Sequence, residues 1–167
     1  MMNDAIKGNT VILITGGNLG DKLQNLKKAG QLIGERIGEV ERSSGIYETE
    51  AWGVTDQPVF YNQVHVVKTV LSPAEVLRRI LKIEEEMGRK RTVKNAARII
   101  DIDILFYDEQ IVNEEKLVIP HPQISNRRFV LLPLQELVPQ MIHPVYKMSV
   151  EQLLFQTEDQ LKVTVVG

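Results

Sequence analysis

The stretch ARIIDIDILFYDEQ, residues 97–110, has the most strand-like pattern in the chain and carries two carboxylates in its middle. Side chains alternate between the two faces of a strand, so Asp101 and Asp103 are predicted to point the same way. The isoleucines beside them, Ile100, Ile102 and Ile104, would take the opposite face and meet a core. Two like charges side by side are unfavourable unless a cation lies between them. The pattern therefore predicts either arginine or lysine partners, or a divalent metal, at this strand.

Outward from this strand, the hydrophobic periodicity alternates between strand and helix. The predicted elements before it are a strand over 10–15, a turn over 16–21, a helix over 21–38, a strand running into a loop over 39–53, a strand over 60–71 and a helix over 72–88. Those expected after it are a hairpin over 109–120, a short helix within 121–139, a helix over 149–157 and a strand over 161–166. The order up to residue 107 is typical of a ferredoxin-like split βαβ unit. We therefore predict one α+β domain over residues 1–167, with a ferredoxin-like βαββαβ core.

Composition limits the class of protein. The chain has 167 residues, no cysteine and a net charge of −2, which excludes disulfides and thiolate metal sites and argues against a general binder of nucleic acid. No apolar run approaches the ~20 residues that a bilayer crossing needs, and the first residues lack the apolar core of a signal peptide. We expect a cytoplasmic protein that binds neither nucleic acid nor membrane, with a monomer as the default state.

A basic segment lies directly before the aspartate strand. Residues 88–98 hold five cations and no acid, namely Arg89, Lys90, Arg91, Lys94 and Arg98. A cationic loop beside a carboxylate pair suits a polyphosphate, because the carboxylates can hold Mg²⁺ while the arginines neutralise the remaining phosphate oxygens. Two simpler interpretations stay open, which are a solvated loop and arginines that only pair with the aspartates.

Three other segments have both a structural and a functional interpretation. GGNLGD (16–21) lacks the glycine spacing of a dinucleotide-binding loop and favours a tight turn, although its backbone N–H groups could meet a polar or anionic ligand. VIPHPQISNRRF (118–129) is either a proline-stiffened surface loop or a source of phosphate contacts with an aromatic wall. YETEAWGVTDQPVFYNQV (47–64) is either an anchored loop or a wall for a flat ring, with Phe60 stacking and Asn62 reading polar edges. We interpret His65 and His143 as structural.

In order, GGNLGD, YET…WG…DQPVFYN, IEEEMGRKR, ARIIDIDILFY and LVIPHPQISNRRFVLLPLQEL resemble the 6-hydroxymethyl-7,8-dihydropterin pyrophosphokinase family over essentially the whole chain. The resemblance implies a single-domain α/β sandwich built on the ferredoxin-like core. It also implies an enzyme of folate biosynthesis that transfers the pyrophosphoryl group of ATP to the pterin hydroxymethyl oxygen, leaves AMP and uses two Mg²⁺ ions.

The resemblance also implies roles for individual residues. The catalytic set would be Arg89, Arg98, Asp101 and Asp103, with both aspartates binding the metal ions and Asp103 helping to deprotonate or orient the attacking hydroxyl. The pterin contacts would be Thr49, Glu50, Trp52, Phe60, Asn62 and Phe129. The ATP contacts would be Glu84, Arg91, Ile104, Lys116, His121 and Arg127.

The chain departs from the family pattern just before the aspartates. The family commonly shows W-G-P-R-T-[LI]-D-[LI]-D, whereas this chain has KNAARIIDID, about one residue shorter and without the tryptophan. That tryptophan packs over the closed site in the family, so we expect closure here to be weaker or to use other residues. Two rival functions stay open: another magnesium-dependent nucleotidyl or phosphoryl transferase, and a non-catalytic pterin- or nucleotide-binding module.

Overall fold

One six-stranded antiparallel sheet organises the computed structural model, which describes residues 8–50, 57–89 and 97–166. The elements in chain order are β1 (Asn9–Gly17), α1 (Lys22–Arg36), β2 (Glu39–Ser43), β3 (Tyr47–Thr49), β4 (Phe60–Thr69), α2 (Pro73–Glu86), β5 (Asp101–Tyr107), β6 (Val112–Glu114), β7 (Leu117–Ile119), a 3₁₀ turn (Ile124–Asn126), α3 (Arg128–Leu137), α4 (Val150–Gln156) and β8 (Val163–Val165). The strand order is β5-β1-β4-β3-β8, and β2 also pairs with β4. The predicted α+β fold with a ferredoxin-like core is confirmed.

Two departures from the predicted elements concern the strands. The strand expected within 39–53 is two short strands, β2 and β3, which pair with successive stretches of β4. The strand expected to end at Thr15 continues through Gly16 and Gly17, so the first part of GGNLGD belongs to β1 and not to a turn. Among the helices of the described residues, none has the length and apolarity needed to cross a membrane.

Capping side chains fix where the first two helices begin. The Asp21 carboxylate accepts the Gln24 N–H at 3.1 Å at the start of α1, and the Ser72 hydroxyl accepts the Glu75 N–H at 3.2 Å at the start of α2. Each bond satisfies a backbone donor that has no partner within the helix. After α2, Gly88 adopts a φ of 92°, which favours glycine, and this turn leads the chain into Arg89.

The sheet has one apolar core on each face. The face covered by α1 and α2 packs Leu13 and Val67, whereas the face covered by α3 and α4 packs Ile14 and Val64. Each fully buried aliphatic side chain contributes about 1.5–3 kcal/mol of transfer free energy, so both faces must be covered for the sheet to be stable.

A β-bulge sets which side chains of β5 reach each face. The register pairs Ile12 with Phe106 and Leu13 with Ile104, so Leu105 is the additional residue on β5. As a result Leu105 and Phe106 both pack in the α3–α4 core. Before the bulge, the strand alternates regularly. The three isoleucines at 100, 102 and 104 lie in the α1–α2 core, as predicted, and Asp101 and Asp103 take the opposite face.

Candidate active site

The aspartate pair lies on β5, an edge strand of the sheet, between two arginines and a third carboxylate. Arg89 Nη1 lies 3.1 Å from one oxygen of Asp101, and Arg98 Nη1 lies 3.1 Å from the other. The same Arg89 nitrogen lies 3.1 Å from Glu84 Oε1. Of the partners that the sequence left open, arginine is therefore observed at Asp101.

Glu84 joins α2 to the edge of the sheet. Its side chain is buried, and Oε2 accepts the Ile102 backbone N–H at 2.7 Å. Burial raises the pKa of Glu84, and the nearby charge of Asp101 adds to that effect, while the hydrogen bond from Ile102 opposes it. Glu84 thus fixes β5 against α2 and holds Arg89 beside the aspartate pair.

Asp103 is the most perturbed carboxylate of the site. Burial raises its pKa to about 7, and the charges of Asp101 and Glu84 contribute in the same direction. Three acidic groups so close together create a negative potential that a bound cation would relieve. Within the described residues, no cluster of three or more histidine, aspartate or glutamate side chains has the arrangement of a metal site. A metal here would therefore depend on the aspartate pair and on oxygens from a ligand, as is common for Mg²⁺.

Two glycines allow the chain to approach closely around the aspartates. A Cβ on Gly16 would lie 2.2 Å from Asn62 Oδ1, and a Cβ on Gly17 would lie 2.2 Å from the Ile99 carbonyl oxygen. No side chain fits at either position without moving these neighbours. The glycines therefore bring the Asn62 amide and the chain before β5 against the end of β1.

Asn18 is a site residue that the sequence analysis missed. It is buried, its Nδ2 donates to Gln57 Oε1 at 3.2 Å and to the Pro58 carbonyl at 3.1 Å, and its Oδ1 accepts the Arg98 N–H at 2.9 Å. The backbone N–H groups of Asn18 and Leu19 donate to the Arg98 carbonyl at 3.0 and 3.2 Å. The expectation that these N–H groups could meet a ligand is therefore wrong for this pair. In the sequence, the only signal for this role was an asparagine within the glycine-rich segment GGNLGD.

A cavity with two aromatic side chains opens on the face that carries the aspartates. Its lining includes Thr49, Glu50, Phe60, Asn62, Arg98, Asp101, Asp103, His121, Arg127 and Phe129. Among the described residues, Asn62 Nδ2 is a buried donor without a hydrogen-bond partner. A flat polar ring between the two phenylalanines could satisfy that donor, because buried polar groups normally have partners.

A second, wider groove lies on the other side of the aspartates. It is lined by Leu77, Ile80, Leu81, Glu84, Glu85, Arg89, Arg98, Asp101, Ile102, Asp103 and Lys116. The two hollows share three residues, Arg98, Asp101 and Asp103. A ligand in the cavity and a ligand in the groove would therefore meet at the aspartate pair.

His121 and Arg127 add polar groups to the cavity wall. The His121 backbone N–H donates to the Leu105 carbonyl at 3.0 Å, and its Nδ1 accepts the Gln123 N–H at 3.1 Å. Burial and the Arg127 charge lower the pKa of His121 to about 4. The imidazole is thus neutral near pH 7 and carries its proton on Nε2. The Arg127 guanidinium lies over the Phe129 ring at 5.7 Å.

The structure brings most of the sequence-predicted residues together. The side chain of Ile104 is an exception, because it lies in the α1–α2 core and lines neither hollow. Trp52 and Arg91 lie outside the described residues. His65 is buried, and its ring nitrogens lie within hydrogen-bond distance of Thr15 and Ser43, which agrees with a structural role.

His143 also has structural contacts. Its Nδ1 accepts backbone N–H groups from Val145 and Tyr146, and its ring stacks on that of Tyr146 at 4.4 Å. These contacts agree with the structural interpretation.

Two curated relatives match this chain over most of their own length, and a third is much longer. It is 40% identical over 153 residues to 2-amino-4-hydroxy-6-hydroxymethyldihydropteridine pyrophosphokinase of Aquifex aeolicus, covering 92% of this chain and 94% of that protein. The enzyme of the same name from Bacillus subtilis is 37% identical over 134 residues, which is 80% of each protein. A match to the folic acid synthesis protein of Pneumocystis carinii, at 36% identity over 147 residues, covers 88% of this chain but 20% of that longer protein.

Solved structures share the fold at lower identity. The HPPK-DHPS protein of Plasmodium falciparum aligns with a TM-score of 0.73 and 21% identity over 92% of this chain and 44% of that chain. A second HPPK-DHPS structure, solved with substrates, aligns with a TM-score of 0.72 and 18% identity over 89% of this chain. This chain thus spans less than half of those longer proteins. The sequence model of the family matches residues 12–139. The chain therefore belongs to the 7,8-dihydro-6-hydroxymethylpterin-pyrophosphokinase (HPPK) family.

Proposed function

We propose that this chain transfers the pyrophosphoryl group of ATP to the hydroxymethyl oxygen of 6-hydroxymethyl-7,8-dihydropterin, leaving AMP. The observation that carries the proposal is the meeting of the two hollows at Arg98, Asp101 and Asp103. A transfer between two substrates needs both of them held with the reacting atoms close together. The family relationship supplies the substrate class, and the geometry supports two substrates that meet at the aspartates, with the ATP phosphates reaching His121 and Arg127 on the cavity side.

The aromatic cavity suits the pterin. Phe60 and Phe129 lie on its wall and offer faces on which a flat ring can stack. The buried Asn62 amide offers a hydrogen-bond donor to the ring edge. Thr49 and Glu50 line the same cavity and would contact the pterin through side chain or backbone.

The groove and the cations around it suit ATP. Lys116 and Arg89 line the groove, while His121 and Arg127 lie on the cavity side of the aspartates. The neutral His121 would donate from Nε2 to a phosphate oxygen. Arg89 and Arg98 bracket Asp101, a position from which guanidinium groups can neutralise polyphosphate charge.

The edge of β5 offers backbone groups to the adenine base. Ile102 directs its N–H away from β1, toward Glu84. Backbone groups alternate in direction along a strand, so Ile104 shares that outward orientation two residues later. We propose that Ile104 contacts the base through its backbone, because its side chain is buried in the core.

Asp101 and Asp103 are the residues that would hold Mg²⁺. Their carboxylates share one face of β5. Burial, with the charges of Asp101 and Glu84 in the same direction, raises the pKa of Asp103, and a hard cation would offset that cost of ionisation. When bound, Mg²⁺ would neutralise phosphate charge and help to align the attacking and leaving oxygens. The use of two ions follows from the family resemblance and stays a prediction.

Asp103 also fits the role of accepting or orienting the substrate hydroxyl proton. A group with a pKa near the working pH balances availability of the base form against strength as a proton acceptor, and burial raises the pKa of Asp103 to about 7. Metal binding and proton acceptance need the same ionised form of this carboxylate. A bound cation would itself favour that form, because it stabilises the negative charge of Asp103.

The test is product analysis with ATP, Mg²⁺ and 6-hydroxymethyl-7,8-dihydropterin. The wild type should form AMP and the pterin diphosphate only when the pterin is present, and Asp103→Ala should abolish both products. Glu109→Ala, which removes an exposed carboxylate just beyond β5, should retain activity. Release of inorganic pyrophosphate would indicate a nucleotidyl transferase instead, and binding of both ligands without turnover would indicate a non-catalytic module.

Several expectations about the whole protein stay predictions. They are the single domain over residues 1–167, the monomeric state, the cytoplasmic location and the absence of nucleic-acid or membrane binding. The sequence departs from the family pattern around Lys94, in the basic segment that carries Arg91. We expect this departure to affect the rate of the proposed reaction. It does not alter the aspartate pair on which the reaction class depends.

A further inference from the structure

The C-terminal segment, residues 157–166, lies beside the aromatic cavity. It follows the region matched by the family model, which ends at residue 139. Its strand β8 pairs with β3, with Thr49 opposite Val163. The Thr49 hydroxyl donates to the Lys162 carbonyl at 3.4 Å, and the Val166 N–H donates to the Ile46 carbonyl at 2.7 Å. This segment therefore supports the side of the cavity that carries Thr49.

The same segment caps α3, on the other side of the cavity. Arg127, at the N-cap position of α3, makes no side-chain capping bond, and the first turn contains no acidic residue. The cap comes instead from Asp159, whose Oδ2 accepts the Arg128 N–H at 2.8 Å. A carboxylate at this position satisfies a backbone donor and interacts favourably with the positive end of the helix dipole.

Two further bonds hold the loop that carries Asp159. Its Oδ1 accepts the Leu161 N–H at 2.9 Å, and Arg128 Nη1 donates to the Leu161 carbonyl at 3.1 Å. The carboxylate thus has one oxygen on its own loop and one on α3. The negative charge of Asp159 also favours the charged form of Arg127.

The bond to Arg128 matters because of its neighbours in the chain. Arg127 and Phe129, on either side of Arg128, both line the cavity, whereas Arg128 turns to the C-terminal segment. Fixing the backbone of Arg128 therefore fixes the directions of a cation and an aromatic ring that face the substrate. A displacement of about 1 Å in such groups is enough to lower the rate of a transfer reaction.

We propose that Asp159 is a positioning residue of the active site, which acts through the Arg128 backbone to orient Arg127 and Phe129. The inference rests on the proposed function, because it assigns the two oriented side chains to the pterin and to ATP. It adds a residue of the C-terminal segment to a site whose other residues lie at or before Phe129.

The test compares Asp159→Ala, Asp159→Asn and Glu158→Ala. The Asn variant keeps one oxygen that can accept the Arg128 N–H but loses the acceptor for the Leu161 N–H, whereas the Ala variant removes both acceptors. The Glu158 variant removes an exposed neighbouring charge as the matched control. Pterin affinity is measured by fluorescence titration with the pterin itself, the KM for each substrate is measured by AMP formation, and the melting temperature is recorded for every variant.

Asp159→Ala is expected to weaken pterin binding by up to about fivefold, the factor reached when the whole contribution of a typical helix cap is lost from the binding-competent conformation. Its KM for ATP should rise as well, because Arg127 is oriented by the same bond. Asp159→Asn should stay within about twofold of the wild type, and Glu158→Ala should match the wild type.

An Asp159→Ala protein with a lower melting temperature but unchanged pterin affinity and KM values would overturn the proposal, because Asp159 would then only stabilise the fold. If that variant does not fold, Asp159→Ser serves in its place, since its shorter side chain can still accept the Leu161 N–H of its own turn but withdraws the oxygen that accepts the Arg128 N–H. Unchanged pterin affinity and KM values in Asp159→Ser would likewise overturn the proposal. A wild type that binds pterin but forms no AMP would count against the proposed function, and the binding titration would still decide the role of Asp159.

Discussion

Replacement of Asp103 by asparagine is expected to stabilise the metal-free protein, and to do so more strongly at pH 8 than at pH 5. Burial, assisted by the charges of Asp101 and Glu84, raises the pKa of Asp103 to about 7 from an ordinary value of 3.8. In the unfolded chain the carboxyl ionises near its ordinary value, whereas the folded protein keeps the proton until about pH 7. Asp103 therefore lowers the free energy of unfolding progressively as the pH rises from about 4 to 7.

The magnitude follows from the two pKa values. Each pH unit over which only the folded state holds the proton costs about 1.4 kcal/mol. Between pH 5 and pH 8, the ionisation of Asp103 should cost the wild type about 2 to 3 kcal/mol, a loss that Asp103→Asn avoids because an amide does not titrate. Constant effects of the substitution, such as altered packing, cancel in the comparison of the two pH values.

The assay is thermal or urea unfolding of both proteins with a metal chelator at several pH values from 5 to 8. For a chain of this length, the expected change corresponds to a difference in melting temperature that grows by about 4 to 12 °C over this range. Glu109→Gln, at an exposed position, is the control and should show no such growth. A difference between Asp103→Asn and the wild type that stays constant with pH would refute the reasoning. Asp103→Asn should also lose AMP formation, because an amide lacks the negative charge that a Mg²⁺ ligand and a proton acceptor need.

Further predictions concern Gly17 with Gly34 as its control, His121 and Glu84. Gly17→Ala should lower the free energy of unfolding by about 1–3 kcal/mol and reduce kcat/KM, because its Cβ would lie 2.2 Å from a backbone carbonyl oxygen of the segment before β5. In contrast, Gly34→Ala, in helix α1 where the added methyl group would make only an ordinary contact with Val40, should stabilise the fold by about 0.5–1 kcal/mol. His121 should show no NMR titration between pH 5.5 and 8.5, because its pKa is lowered to about 4. In the metal-free protein, Glu84→Gln should reduce the loss of stability between pH 5 and pH 8 in unfolding experiments, because the Glu84 charge raises the pKa of Asp103.

Each of these predictions has an outcome that would contradict it. Equal stability of the Gly17 and Gly34 variants would mean that the segment before β5 moves to accommodate the added Cβ without loss of stability. A His121 resonance that titrates near pH 6.5 would mean that the ring is open to solvent. A pH dependence of unfolding that Glu84→Gln leaves unchanged would mean that the two carboxylates do not interact in the folded protein.

The order of strands and helices was predictable from the sequence because it depends on local periodicity. The alternation in residues 98–107 predicted that Asp101 and Asp103 would share a face, and the N-cap residues Asp21 and Ser72 marked the helix starts. The ordered motifs also indicated the family, because those residue types at those positions meet the chemical needs of the pterin and the polyphosphate.

The contacts between distant segments could not be predicted in the same way. GGNLGD has the composition of a turn, yet its first two glycines belong to β1, where Asn62 and Ile99 press against them from elsewhere in the chain. Asn18 gained its role from contacts with Arg98 and Gln57, 80 and 39 residues away in sequence. No local pattern reports such contacts.

The sequence by itself determined the fold class, the family and the position of two aspartates on one face of β5. Only the tertiary structure decided that Arg89 and Arg98 bracket Asp101, that Glu84 joins Arg89 to β5, and that Asp159 caps α3, the helix that carries Phe129. The physical reason is that periodicity and motif spacing depend on neighbours along the chain. Burial, charge crowding and hydrogen-bond partners instead depend on which segments the folded sheet and helices bring together.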